Sequence, residues 1–232
     1  MCGRITQYRH TSEYRLPELV DGSYLAFDEA DRPAGFNVSP GTHPLALYPD
    51  GGVRRIFWGY RPAWAAAKKL PPMINARADK ITGSAWKGML ARNRVIVPAD
   101  GWYEWILADD GKKQPFYLKP RDGLPLYFAA LSSAKPDADA PPRAPDERPA
   151  VVDGLVIVTD ASDKGMLDVH DRRPVALTFD NARLWLHAET PVEMAAAIAR
   201  TASRPTDDFE WEKVSREVNR PTADRPDLIE PI

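Results

Sequence analysis

Short apolar or alternating runs, broken every few residues by Gly, Pro and Asp, recur along the chain and read as strands more often than helices. Cys2 to Gln7 is the first such run. Leu45 to Tyr48 and Val53 to Trp58 flank Pro49-Asp50-Gly51-Gly52, a hairpin turn. Val95–Val97 follows. The turns at Asp110-Gly111 and Asp122-Gly123 then predict that Trp102–Leu107, Pro115–Leu118 and Leu126–Leu131 form an antiparallel meander. Leu155–Thr159 and Phe209–Val214 are late strands. Helical character is confined to Ser12–Leu19, Lys80–Leu90, Asp180–His187 and Pro191–Thr201. Asn37-Val38-Ser39-Pro40-Gly41 reads as a turn, and the run from Asn219, with Pro221, Pro226 and Pro231, as extended chain. The pattern predicts one α+β domain dominated by antiparallel strands. Residues 132–152 depart from it, with Pro136, Pro141, Pro142, Pro145 and Pro149 among Asp, Ala and Arg. They read as a Pro-rich surface loop or disordered insert. Because strand patterning resumes at Leu155, the insert interrupts a single sheet.

Composition changes this picture little. At 232 residues, with 44% hydrophobic and 28% charged residues, the chain can build a sizeable core. Its one cysteine excludes an internal disulfide or a cysteine-rich zinc site, and no metal or other cofactor is called for. No apolar run approaches a membrane span, and the N-terminus lacks a secretory layout, so a cytoplasmic protein with no membrane partner is expected. Charge changes it more. Net charge is −2, yet from Arg54 to Arg94 there are ten basic residues against Asp79 alone. That asymmetry predicts a polyanion-binding face.

The cysteine is residue 2. Removal of Met1 would leave a free α-amine and a thiol on adjacent carbons, with ordinary pKa values of roughly 7.7–8.0 and about 8.5. Such a pair can attack an acyl carbon through sulfur. It can also condense with an aldehyde through nitrogen and close a thiazolidine ring through sulfur. Trp102-Tyr103-Glu104-Trp105 puts Trp102 and Glu104 on one strand face, where desolvation would raise the carboxyl toward a general acid's range; an exposed strand glutamate is the alternative. His170, in Asp168-Val169-His170-Asp171-Arg172-Arg173-Pro174, has carboxylates and guanidiniums around an imidazole; a salt-linked loop histidine is the alternative. His10, His43 and His187 read as plain surface or helix-end residues. Asn75 and Arg77, in Ile74-Asn75-Ala76-Arg77, lie inside the basic stretch. Trp64, in a loop-like Pro-Ala-Lys context beside Lys68 and Lys69, suits stacking on an unpaired base.

In chain order, Met1-Cys2-Gly3-Arg4, Asn37-Val38-Ser39-Pro40-Gly41, Phe57-Trp58-Gly59-Tyr60, Ile74-Asn75-Ala76-Arg77, Pro98 to Trp105 and Val169 to Pro174 resemble the SRAP family, the SOS response-associated peptidases or abasic-site-processing proteins. Lys113-Gln114-Pro115-Phe116 and Val214-Ser215-Arg216 also fit. The resemblance implies a single domain over residues 1–232 with a mainly antiparallel, barrel-like curved sheet core and peripheral helices. It implies a monomer that binds single-stranded DNA containing abasic sites and crosslinks itself to them through Cys2. Asn75, Glu104 and His170 match the other active-site positions. Arg4, Asn37, Arg77 and Arg172 match positions that hold the DNA backbone. It further implies peptidase-type removal of Met1 and a lyase side reaction. Where relatives carry two adjacent tryptophans, this chain has Trp64-Ala65. Two other readings use the same residues: an N-terminal-nucleophile amidohydrolase acting on glutamine, and a non-catalytic DNA-binding module.

Overall fold

The extended run from Arg94 to Leu107 belongs to two sheets, and the rest of the chain is arranged around that crossing. In the computed structural model, which describes residues 2–14, 34–133, 152–163, 165–166 and 169–232, strand β6 (Arg94–Ala99) lies in one sheet and β7 (Gly101–Leu107) in the other. Asp100 is the corner. Its buried carboxylate accepts hydrogen bonds from Tyr14 Oη (2.6 Å) and the Tyr8 N–H (2.7 Å), and pairs with Arg9 Nε at 2.8 Å. Gly101 is required beside it, because a Cβ there would lie 2.5 Å from the Leu118 carbonyl and the Tyr117 ring.

The smaller sheet runs β13 (Phe209–Lys213), β8 (Lys113–Pro120), β7, β1 (Ile5–Gln7), β2 (Gly35–Val38), all antiparallel. The larger runs β11 (Arg172–Pro174), β10 (Leu155–Ala161), β9 (Leu126–Ser132), β6, β3 (Leu45–Leu47), β4 (Val53–Arg55). Two short strands flank this order: β12 (Ala176–Leu177) beside β9, and β5 (Asn75–Arg77) parallel to β10.

Between the sheets lies a core that includes Ile5, Trp58, Trp102, Phe128 and Phe209, and Cys2 belongs to it. The outer face of the larger sheet is covered by α2 (Lys87–Arg92), α3 (Phe179–Leu186) and α4 (Val192–Thr201) through Leu90, Trp185 and Ala199. The outer face of the smaller sheet is covered by the C-terminal segment, with Val214, Val218 and Leu228 buried on Tyr103 and Tyr117.

The α+β reading holds, but the barrel-like core does not: neither sheet closes. The corner at Asp100 passes the chain from one sheet to its neighbour where a barrel would curl one sheet round on itself. For the same reason the predicted meander stops after β7–β8. The Asp122-Gly123 turn sends the chain across to β9, whose neighbours are β6 and β10. Asn37 and Val38 are strand, and the turn begins after them. Where one continuous helix was expected over residues 80–90, a 3-10 turn ends at Lys80, residues 81–86 form turns, and α2 begins only at Lys87. The run from Asn219 is not simply extended; it follows a 3-10 turn at Arg216–Asn219 and contains another at Pro226–Ile229. Residues 134–151 of the insert and 15–19 of the first predicted helix lie outside the described residues, as does Asp168. The insert does interrupt one sheet, since Ser132 pairs with Leu155. Among the described residues, no helix is long and apolar enough to cross a membrane.

Candidate active site

Strand β1 brings Cys2 to Glu104. The register pairs Ile5 with Trp102 and Thr6 with Gly101, and the Tyr103 N–H donates to the Arg4 carbonyl at 2.9 Å. One step further along, Gly3 stands opposite Glu104. The alternation expected for β7 is present: Trp102 faces the inter-sheet core, and Tyr103 packs on the opposite side with Trp105. Glu104 follows Trp102 inward and is only 3% exposed. Burial pushes its carboxyl up to about 7, the N-terminal ammonium pulls it down, and Asp171 adds to the rise.

Cys2 itself is fully buried. Burial, and then the Glu104 charge, push its thiol well above the ordinary range, against the N-terminal ammonium and a backbone hydrogen bond from Arg4. The appreciable thiolate fraction expected from an unperturbed cysteine is therefore absent while Met1 heads the chain. The sulfur is held neutral.

The opposite wall is built on β10. Its parallel pairing with β5 sets Asn75 beside Ile157 and Arg77 beside Thr159, and β11 adds Arg172 across from Ala161. Asn75 Nδ2 donates to the Ile157 carbonyl at 3.4 Å, while its buried Oδ1 has no protein partner. Arg77 is held bidentately by Asp79 at 2.9 and 2.8 Å, on the surface. The Arg172 guanidinium straddles Thr159, donating to its carbonyl and hydroxyl. Thr159 is a buried residue that sequence reasoning passed over, because a threonine in a strand carries no motif of its own.

His170 is fixed by its backbone N–H to the Met166 carbonyl at 3.0 Å. Its Nδ1 lies 3.0 Å from the Arg172 N–H and 2.8 Å from Asp171 Oδ1. A neutral ring accepts from Arg172 and carries its proton on Nε2; a charged ring donates from Nδ1 to Asp171. Burial lowers its pKa, and the N-terminal ammonium lowers it further, so neutral imidazole is the resting form. Asp171, 81% exposed on its side chain, touches His170 and acts electrostatically on Glu104 and Arg77, linking the two walls.

The remaining candidates fall elsewhere. Trp64 is 50% exposed on α1 (Ala63–Ala67), a short helix rather than the expected loop; Pro62 is its N-cap and its other four residues are alanine, the strongest helix former. Arg4 and Asn37 are engaged with each other and with the C-terminal segment: Arg4 Nη1 donates to Asn37 Oδ1 at 2.5 Å and to the Val218 carbonyl at 3.0 Å. Two members of the basic stretch are engaged inside the protein's own structure. Arg94 is buried, capping helix-end carbonyls at Leu90, Trp185 and His187, and Arg54 is paired with Asp50. Arg77 remains at the site's rim. Among the described residues there is no cluster of metal-binding side chains.

The family described as SOS response associated peptidase (SRAP) matches residues 1–221. The chain is 36% identical to the abasic site processing protein YedK of Escherichia coli K12, all of each chain being covered. It is 31% identical to the abasic site processing protein YoqW of Bacillus subtilis over 99% of each. Among solved structures, a phage-related protein of Bordetella bronchiseptica has a TM-score of 0.73 and 37% identity, over 93% of this chain and 95% of that one. A protein of Bacteroides thetaiotaomicron, 18% identical with a TM-score of 0.71 over the whole of both chains, shares the fold.

Proposed function

Since the chain belongs to the SRAP family, we propose that it processes abasic sites in single-stranded DNA by forming a covalent crosslink through Cys2 once Met1 has been removed. The observation that carries this reading is the burial of the Cys2 thiol within electrostatic reach of a carboxyl poised near pH 7, Glu104. A group with that pKa can both give and take a proton at physiological pH.

Ring closure through sulfur requires the imine carbon, which fixes the order of steps. With Met1 hydrolysed away, the Cys2 amine attacks C1′ of the ring-opened sugar aldehyde to give a carbinolamine. Glu104, as the acid, protonates the departing hydroxyl, and water leaves to form the protonated imine. The thiol then adds to C1′, its proton passing to the Glu104 carboxylate, and the five-membered ring closes. The net change is aldehyde plus aminothiol to thiazolidine plus water. Because amine and thiol belong to one residue, closure is intramolecular. Removing Met1 also brings an ammonium next to the sulfur, which favours its ionisation.

Asn75 Oδ1, buried with no protein partner, is suited to accept from the carbinolamine hydroxyl or the amine. His170, neutral with its proton on Nε2, can donate to the sugar oxygen as the ring opens. Arg77 and Arg172 neutralise flanking phosphates and Trp64 stacks on a base. The imine stage also permits β-elimination, the lyase side reaction. We place this reaction on a monomer acting on DNA in the cytoplasm.

Intact-mass measurement after incubation with abasic single-stranded DNA tests the reading. Expected are loss of Met1 and a DNA adduct smaller by one water than its parts. Cys2→Ala and an N-terminally extended chain should form none. An undiminished adduct from Cys2→Ala, or ammonia release from glutamine without any adduct, would overturn the assignment.

A further inference from the structure

Both ends of the Asn37 amide are engaged inside the protein. Its Oδ1 is taken by Arg4, and its Nδ2 faces the carbonyls of Ala223 (2.6 Å), Arg220 (3.0 Å) and Val218 (3.4 Å). A phosphate could reach that amide only by displacing the C-terminal segment. Arg4 is held through Nη1, which donates to Asn37 and to the Val218 carbonyl, and it lies over the face of Trp105, 5.8 Å from the ring centre. Trp105 in turn donates its indole N–H to Asn219 Oδ1 at 2.6 Å. Together these bonds tie β1, β2 and β7 to residues 218–223. The Phe36 N–H to Asp224 Oδ1 bond, at 2.6 Å, extends the seam, and a side chain at Gly35 would collide with that carboxylate.

The other end of the linkage is the nucleophile. Cys2 to Arg4 precede β1 and lack a sheet ladder of their own. The backbone of Arg4 does the holding: its carbonyl accepts from Tyr103, beside Glu104, and its N–H reaches the Cys2 sulfur. Whatever fixes Arg4 therefore fixes the sulfur relative to Glu104.

We propose that the C-terminal segment from Val214 to Ile232 is a clamp that positions the N-terminal nucleophile, with Arg4, Asn37 and Asn219 as its positioning residues. This rests on the crosslinking role proposed for Cys2 and deepens it. It gives Arg4 and Asn37 a duty different from the DNA-backbone contacts that the sequence resemblance implied. The segment is built for a mechanical role: Val214, Val218 and Leu228 anchor it in a core of its own, while Gln114 and Arg216 tie its start to β8. An error of about 1 Å in placing a reacting group can cost roughly a hundredfold in rate, so a loosened clamp registers in the chemical step.

The test separates binding from chemistry. Asn37→Ala and the milder, surface-located Asn219→Ala are compared with the unaltered protein in two measurements. One is affinity for single-stranded DNA carrying a tetrahydrofuran abasic analogue, which has no aldehyde. The other is the first-order rate of adduct formation at saturating abasic DNA. A clamp predicts a slowing of about tenfold or more in the rate, with affinity and salt dependence unchanged, and recovery in Asn219→Asp, which keeps the acceptor for Trp105. If affinity and salt slope fall while the saturating rate holds, Arg4 and Asn37 are DNA contacts and the clamp is refuted. If Asn219→Ala changes neither quantity, the segment is passive and the proposal also fails. Hydrogen exchange of the Gly3 and Arg4 amides supplies a readout independent of chemistry. Faster exchange in Asn219→Ala is expected, and unchanged exchange would count against the clamp. Should the unaltered protein form no adduct at all, the crosslinking reading falls, while the exchange result still decides whether the segment holds the N-terminus.

Discussion

The two walls of the site solve opposite problems. On the β7 wall, Cys2 and Glu104 are buried, and their ionisation is governed by desolvation. On the β10 wall, Arg77 and His170 are partly or largely open, and both sit in hydrogen-bonded pairs with nearby carboxylates. In the roles proposed for them, Glu104 gains a useful pKa for proton transfer from its dry setting, whereas Arg77 keeps its charge in reach of solvent and phosphate. The fold separates the two by strand: alternation turns Glu104 inward, while the short parallel pairing of β5 leaves Arg77 at the rim.

The sharpest way to break this contrast is Glu104→Gln, which keeps the shape and removes the proton. Adduct formation should slow by about 10² to 10⁴, while binding of the analogue DNA stays as it was. The same substitution should stabilise the fold. The folded pKa of about 7 lies above the value of 4.5 taken for an unperturbed glutamate. Below 4.5 the group is protonated in both states, and its stabilising contribution is complete. As pH rises toward 7 the unfolded chain ionises first, and that contribution is lost. Relative to the unaltered protein, Glu104→Gln should gain nothing near pH 4 and up to about 3 kcal/mol at pH 8, read by denaturant unfolding at both pH values. An equal difference at the two would mean that Glu104 is not desolvated.

For the residues proposed to contact DNA the expected effects are smaller and concern binding. Trp64→Ala should weaken single-stranded DNA binding by about 1–3 kcal/mol and leave thermal unfolding nearly unmoved. A large drop in melting temperature would make Trp64 a packing residue. Arg77→Ala should flatten the dependence of binding on salt by about 0.7 in the logarithmic slope, one phosphate's worth on a single strand. The smallest effect is expected from Asp79→Asn. It frees Arg77 from a surface pair that contributes little to stability and should tighten binding slightly; weaker binding would show that Asp79 orients Arg77 rather than competing for it.

Local rules carried the sequence reading as far as local rules reach. The face shared by Trp102 and Glu104 was legible because a strand has a period of two. The ends of α4 were legible from Pro191 and the spacing after it. What sequence could not show was pairing between distant segments. The Asp122-Gly123 turn is a turn, but it leads to another sheet, because Leu126 to Ser132 finds a partner in β6. Arg94 looks like its basic neighbours in sequence and is instead buried against helix-end carbonyls. Cys2 looked reactive by position, and its neutral, buried state depends on a register with Glu104, a hundred residues away. Thr159, which orders Arg172, had no signal beyond being a threonine in an apolar run.

The way β9 and β10 meet has a practical side. The Ser133 N–H donates to the Gly154 carbonyl at 2.9 Å and the Gly154 N–H to Ser133 Oγ at 3.0 Å, so the chain leaves the sheet and returns to it at one point. Closing a longer excursion between two fixed ends costs only about 0.6 kcal/mol per doubling of its length. Affinity tags and fluorophores are usually fused to a terminus, and here one terminus is assigned to chemistry and the other to holding it. A reporter inserted between Ser133 and Val152 would leave both termini free and keep the two hydrogen bonds of Val152 with Arg61, making that stretch the natural mounting point for a label.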